Sequence, residues 1–280
     1  MTASALTGAL ALGGTVTTAH AESTLNYAAL GDSYSAGSGV LPVDPTNLLC
    51  LRSTANYPHI IASRTGARLK DVTCGAAQTK DFTGSQYLGV APQADALNAG
   101  TDLVTFTMGG NDNNTFINAM LTCGTAGLLS GGKGSPCKDE KGTAFDEEID
   151  AHTHPALKAA LQKLRAKAPN ALIVALGYPW ITPPVADPVC FAKLPLASGD
   201  VPYLRGIQAH LNAVVQRAAA ETGAAYVDFA QASEGHDACK PVGTRWIEPL
   251  LFGQSIVPVH PNALGEQRMA ERTKNTLGLG

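Results

Sequence analysis

The segment Gly31-Asp32-Ser33-Tyr34-Ser35 sets a serine between a short apolar run, residues 25–30, and a run of small residues, 35–39. A strand feeding such a turn lifts a hydroxyl out of a sheet. It also places that hydroxyl beside the backbone N–H groups that begin a helix, where negative charge is favoured. Gly-Asp-Ser is also an ordinary turn sequence. Its weight comes from three partners further along: Gly75 in Cys74-Gly75-Ala76-Ala77, Asn111 in Gly109-Gly110-Asn111-Asp112, and His260 in Val259-His260-Pro261-Asn262. A hydroxyl, an imidazole and amide donors are the residue types that acyl transfer needs, as nucleophile, base and oxyanion partners.

Bringing these groups together requires a sheet. Apolar runs rich in Val and Ile predict strands over residues 25–30, 69–73, 102–108, 171–176 and 224–229. Helical spacing and end signals predict helices over 57–65, 155–167, 201–222 and 262–277. Strands alternating with helices imply a parallel sheet covered on both faces, and right-handed crossovers give a three-layer α/β/α, flavodoxin-like fold. The carboxyl ends of adjacent strands then converge on one crevice, where Ser33, Gly75 and Asn111 would meet. Residues 124–141 and 178–202 do not read as regular structure. Both follow expected strands, so both are expected at that same edge. The second, with Pro179, Trp180, Ile181, Pro183, Pro184, Val185 and Phe191, is the sequence's candidate for an apolar groove wall.

The 280 residues, 45% of them hydrophobic, suit one large core. A net charge of −3, with no run of Lys and Arg, argues against a nucleic-acid partner. Residues 1–21 carry no charged side chain and end in Ala19-His20-Ala21, the pattern of a secretory leader with a small-x-small cleavage site, although a basic start is missing. This leaves residues 22–280 as a single domain with no integral membrane segment, and a monomer is expected. Six cysteines follow the leader, none in a C-x-x-C pair. Six allow 15 connectivities. In an oxidising compartment three disulfides are the natural reading. Sequential pairing, Cys50–Cys74, Cys123–Cys137 and Cys190–Cys239, is the simplest, each bridge contributing about 3 kcal/mol in the chain-entropy model. His152 and His154 form an H-x-H pair beside acidic residues, which reads as solvated surface and not as a metal site.

Gly31-Asp32-Ser33-Tyr34, Gly75, Gly109-Gly110-Asn111-Asp112 and His260-Pro261-Asn262 resemble, in order, the four blocks of the SGNH, or GDSL, hydrolase family. The likeness is closest to its secreted actinobacterial lipases and esterases, which share the six-cysteine pattern and the Gly-Tyr-Pro segment seen at residues 177–179. No G-x-S-x-G elbow is present. The resemblance implies a secreted lipase that cleaves fatty-acyl esters such as triacylglycerols and needs no cofactor or metal. It implies Ser33 as nucleophile, His260 as base, and the Ser33 and Gly75 N–H groups with the Asn111 carboxamide as the oxyanion hole. One departure stands out. The family usually has an Asp three residues before the histidine, and here Val257 occupies that place. A backbone carbonyl, from Pro258 or else Val257, is the expected orienting group, which makes a Ser–His dyad. Glu248 and Asp237 are carboxylate alternatives without spacing support. Phospholipase A-type and carbohydrate acetyl esterase activities of the same family are alternative readings. A non-catalytic secreted binding module is another, weakened by the presence of Ser33, Asn111 and His260.

Overall fold

The computed structural model of the protein describes residues 24–279 together with Met1 and Thr2, so the expected leader lies otherwise outside the described residues. In chain order the elements are β1 (Asn26–Ala29), α1 (Ser33–Ala36), α2 (Tyr57–Thr65), β2 (Arg68–Asp71), β3 (Leu103–Phe106), α3 (Thr115–Leu129), α4 (Pro136–Lys141), α5 (Ala144–Glu148), α6 (His154–Lys167), β4 (Leu172–Leu176), α7 (Asp200–Glu221), β5 (Ala225–Val227) and α8 (Ala263–Leu277). The five strands form one parallel sheet in the order β2-β1-β3-β4-β5. This is the three-layer α/β/α arrangement expected from the sequence.

The period-2 alternation of strand side chains builds the two faces. Tyr27, Ala29, Leu103, Val174 and Leu176 pack under α2 and α8 against Tyr57, Ile61 and Met269. Ala28, Val104, Phe106, Ile173 and Ala175 face the other layer, where Leu157, Leu161 and Leu204 close the core from α6 and α7. The cysteines pair as Cys50–Cys74, Cys123–Cys137 and Cys190–Cys239. No helix among the described residues is long and apolar enough to cross a membrane.

One expectation is overturned. Residues 124–141 are not an irregular loop: α3 runs through Gly124 and Gly127 to Leu129, and α4 follows, opened by Pro136 in its first turn. Glycines and Ser-Pro read as breakers because of their low helix propensity. The reason for one of them is tertiary. A Cβ at Gly127 would stand 2.2 Å from the Pro195 carbonyl oxygen and 2.8 Å from the Leu196 Cα, so α3 lies directly on the backbone of that segment. Gly127→Ala is therefore expected to cost about 1–3 kcal/mol in denaturant unfolding, because the added methyl can only meet main chain. An unchanged midpoint would show that this contact does not seat α3.

Candidate active site

Ser33 is the first residue of α1 and follows β1 by a three-residue turn, and its side chain is nearly buried. The turn is sharp because Gly31 adopts φ +122°, where a Cβ would sit 2.6 Å from the Thr107 carbonyl oxygen. The Gln93 carboxamide clamps both peptide groups of Gly31, accepting its N–H at 2.7 Å and donating to its carbonyl at 3.0 Å. As the first residue of a helix, Ser33 has a backbone N–H with no helical acceptor, and it is bonded to no other group among the described residues.

His260 comes from the segment before α8 and reaches Ser33: Nε2 lies 2.7 Å from Ser33 Oγ. Nδ1 lies 2.8 Å from the Pro258 carbonyl oxygen, so Nδ1 carries the proton and Nε2 is free to accept from the serine hydroxyl. The carbonyl folds back under its own histidine because Val259 sits at φ +60°, a left-handed conformation that a β-branched residue rarely adopts. Three contacts hold that strained residue: Tyr34 Oη donates to the Val259 carbonyl at 2.8 Å, Val259 N–H donates to the Glu248 carbonyl at 3.0 Å, and Glu248 N–H donates to the His260 carbonyl at 2.8 Å. Of the two carbonyls anticipated, the geometry selects Pro258; Val257 instead donates its N–H to Ser255 Oγ at 3.1 Å. Among the described residues no carboxylate is bonded to His260. Glu248 is paired with Arg245, and Asp237 accepts from Cys239 N–H. Burial disfavours the imidazolium and pulls the His260 pKa below its ordinary value, while the Pro258 carbonyl pushes it back up.

Asn111 follows β3, the strand hydrogen-bonded beside β1, and lines the same cavity as Ser33. One Nδ2 proton goes to the Ala77 carbonyl at 3.1 Å, and the amide makes no helix-capping bond, so its second proton remains available. Gly75 departs from expectation. Its N–H donates to the Cys50 carbonyl at 2.8 Å, beside the Cys50–Cys74 bridge, so that donor is committed to the backbone there and not to the crevice.

From its place in the Gly-Asp-Ser turn, Asp32 is expected to tie the turn to neighbouring backbone; what the local sequence does not reveal is how far that tie reaches. Asp32 is buried, and its carboxylate accepts from Tyr34 N–H at 3.0 Å, Thr107 Oγ1 at 2.7 Å and Tyr178 Oη at 2.5 Å. Tyr178 Oη in turn accepts Gly110 N–H at 2.9 Å. Burial pushes the Asp32 pKa up to about 6 against the pull of these three donors. The Gly-Tyr-Pro segment was visible in the sequence, but nothing local tells which acceptor the phenol finds.

Beside Ser33 opens an apolar cavity of about 160 Å³. Its wall corrects a second expectation. Of the apolar residues proposed for the proline-rich groove only Ile181 lines it, beside Tyr178 at the start of that segment. Trp180 is buried beneath the Arg205 guanidinium at 4.0 Å, and Phe191 lies against Gly132. The lining comes mainly from α3, through Phe116, Ile117, Met120 and Leu121, faced by Leu211 and Leu250. In the H-x-H segment the exposed His152 stands beside Glu148, whereas His154 is half-buried beside Glu221; His210 stands beside Asp150.

Tyr178→Phe removes a donor from buried Asp32 and an acceptor from Gly110. Unfolding experiments should show a loss of about 2 kcal/mol or more, the cost of stranding buried polar groups. A variant as stable as the parent would mean that water or a neighbour replaces the phenol.

The family model described as GDSL-like Lipase/Acylhydrolase matches residues 29–268. Lipase 2 of Streptomyces coelicolor is 73% identical over 280 residues, which span 98% of this chain and 95% of that protein. Among solved structures, phospholipase A1 from Streptomyces albidoflavus and the extracellular lipase from Streptomyces rimosus each superpose with a TM-score of 0.75 at 29% identity, over 90% of this chain and 99% of theirs. With Ser33 and His260 in contact at the edge of a parallel sheet, and with these matches over nearly its whole length, the chain belongs to the GDSL-like lipase/acylhydrolase family.

Proposed function

We propose that the protein is a secreted carboxylic ester hydrolase that cleaves fatty-acyl esters such as triacylglycerols. The observation that carries this reading is the 2.7 Å contact between Ser33 Oγ and His260 Nε2 at the mouth of an apolar cavity. Ser33 Oγ attacks the ester carbonyl while its proton passes to His260 Nε2. Nδ1–H stays on the Pro258 carbonyl throughout. The developing oxyanion faces the Ser33 N–H and the spare Asn111 Nδ2 proton, the two donors left uncommitted. His260 then protonates the departing alcohol, and the acyl chain remains on Ser33 with its tail in the cavity. Water, deprotonated by the same imidazole, releases the acid.

A neutral carbonyl orients the imidazole but stabilises imidazolium less than a carboxylate would. The left-handed Val259 and its three clamps supply in geometry what this dyad lacks in charge. Three disulfides and the leader pattern support secretion, and every group of the site comes from one chain, which supports a monomer. Phospholipid is the second reading, favoured by the likeness to a phospholipase A1.

Ser33→Ala should lose about 10⁴-fold or more in turnover and all labelling by a fluorophosphonate. Asn111→Ala should lose about 10²–10³-fold in kcat. On a panel of triacylglycerol, phospholipid, acetylated xylan and nitrophenyl esters of rising chain length, medium or long acyl chains should outrun acetate; a preference for acetate would sink the fatty-acyl reading. Because burial favours neutral His260, the acid limb of kcat/KM should have its midpoint below the ordinary imidazole value of 6.5 and persist in Asp32→Asn. A midpoint above 6.5 would contradict the neutral, carboxylate-free base.

A further inference from the structure

Residues 249–259, the loop that delivers His260, contain no charged side chain. The loop leaves the cavity wall at Leu250 and returns to it at Pro258. Between these points it turns apolar side chains into water: Phe252 is 83% exposed and Ile256 79%, with Leu251 also exposed. The α3 wall of the same mouth does likewise with Ile117 and Leu121, the latter 61% exposed. We propose that residues 250–256 form a rigid docking loop that seats the enzyme on a lipid surface with the cavity mouth turned toward the lipid. The proposal rests on the fatty-acyl reading above for its choice of surface.

Rigidity is built in at the base. The buried Glu248 carboxylate takes Arg245 Nε at 3.1 Å and Nη2 at 2.7 Å, Gln254 N–H at 2.7 Å and Asn262 Nδ2 at 2.9 Å. One carboxylate thereby pins the chain before the loop, within it and after it. Leu251 N–H is fixed to the Lys193 carbonyl at 3.0 Å and Ser255 Oγ to the Gly39 carbonyl at 3.2 Å. Phe252 holds φ +59°, a backbone conformation that suits glycine or asparagine. A bulky apolar side chain there is unfavourable in water on both counts, and burial in lipid removes the larger one. The occupant is argued from continuity. The patch runs into the mouth of the acyl cavity, so a protein bound to it would stop the mouth, whereas a lipid surface supplies the ester to it. The same loop bears the base, so docking places the imidazole at the lipid boundary without any hinge.

The test is Phe252→Asn combined with Ile256→Ser, neither residue lining the cavity and Asn being tolerated at positive φ. Turnover of soluble nitrophenyl butyrate should stay within about twofold of the parent, which also reports an intact fold. Turnover of emulsified trioctanoylglycerol should fall about tenfold or more, the scale of one to two buried apolar side chains. Binding is read separately on Ser33→Ala protein by cosedimentation with phosphatidylcholine vesicles: the Ser33→Ala chain should pellet, and the same chain carrying both loop changes should stay in the supernatant. Equal pelleting of the two, no pelleting of either, or equal losses on the soluble and emulsified esters would overturn the proposal. So would a concentration-dependent dimer, seen by light scattering, that the loop changes abolish, since the patch would then belong to a second copy. Vesicle binding does not depend on which ester is cleaved, so failure of the fatty-acyl reading on the substrate panel is distinguishable from failure of the docking loop.

Discussion

A single buried carboxylate governs the arrangement of this site. Asp32 gathers donors from three strand ends: Tyr34 N–H after β1, Thr107 Oγ1 after β3 and Tyr178 Oη after β4. Burying a charge is costly unless it is hydrogen-bonded, and three donors offset much of that cost here. Moving any of the three turns would leave the carboxylate short of a donor. The nucleophile, the Gly110-Asn111 turn and one end of the cavity wall are thus held in register by the same group. Tyr178 extends the tie by accepting Gly110 N–H, and its ring meets Tyr34 edge-on at 5.1 Å.

The histidine is held by a different principle. A Ser-His-Asp triad orients the imidazole with a carboxylate; here a strained backbone does it. Val259 in the left-handed region costs about 1–3 kcal/mol, and it persists because both of its peptide groups are bonded and its neighbours are paired across residues 246–248. Tyr34 contributes twice, with its hydroxyl on the Val259 carbonyl and its ring 5.2 Å from the imidazole. The residue after the nucleophile thereby carries positional information to the base, and Glu248 supports the far side of the same loop through Arg245 and Asn262.

Much of this was legible in the chain because the signals are local. The apolar runs over 25–30 and 102–108 and the helical patterns that follow Asn56 and begin near Asn262 mark elements whose observed limits fall within a few residues of those expected. Ser33, Asn111 and His260 stand at strand or helix ends, where a parallel sheet must collect them. The cysteine pairs follow the simplest order. The cavity wall was illegible for an equally physical reason. Gly124 and Gly127 argue against a helix by intrinsic propensity, and only the packing of Gly127 on the backbone of residues 195–197 turns the second of them into an advantage.

The chain by itself determined which groups are present and in what order: a hydroxyl, a carboxamide and an imidazole on an alternating β/α frame, and no aspartate where a third member usually stands. Those properties depend on residue type and short-range spacing. Tertiary structure decided where the main-chain dipoles point. The Pro258 carbonyl, and not that of Val257, faces the ring because of one left-handed dihedral. Gly75 N–H turns to Cys50 because a disulfide draws that carbonyl over it. Backbone groups are chemically identical at every position, so their direction is set by dihedrals and distant contacts, which no stretch of sequence encodes alone.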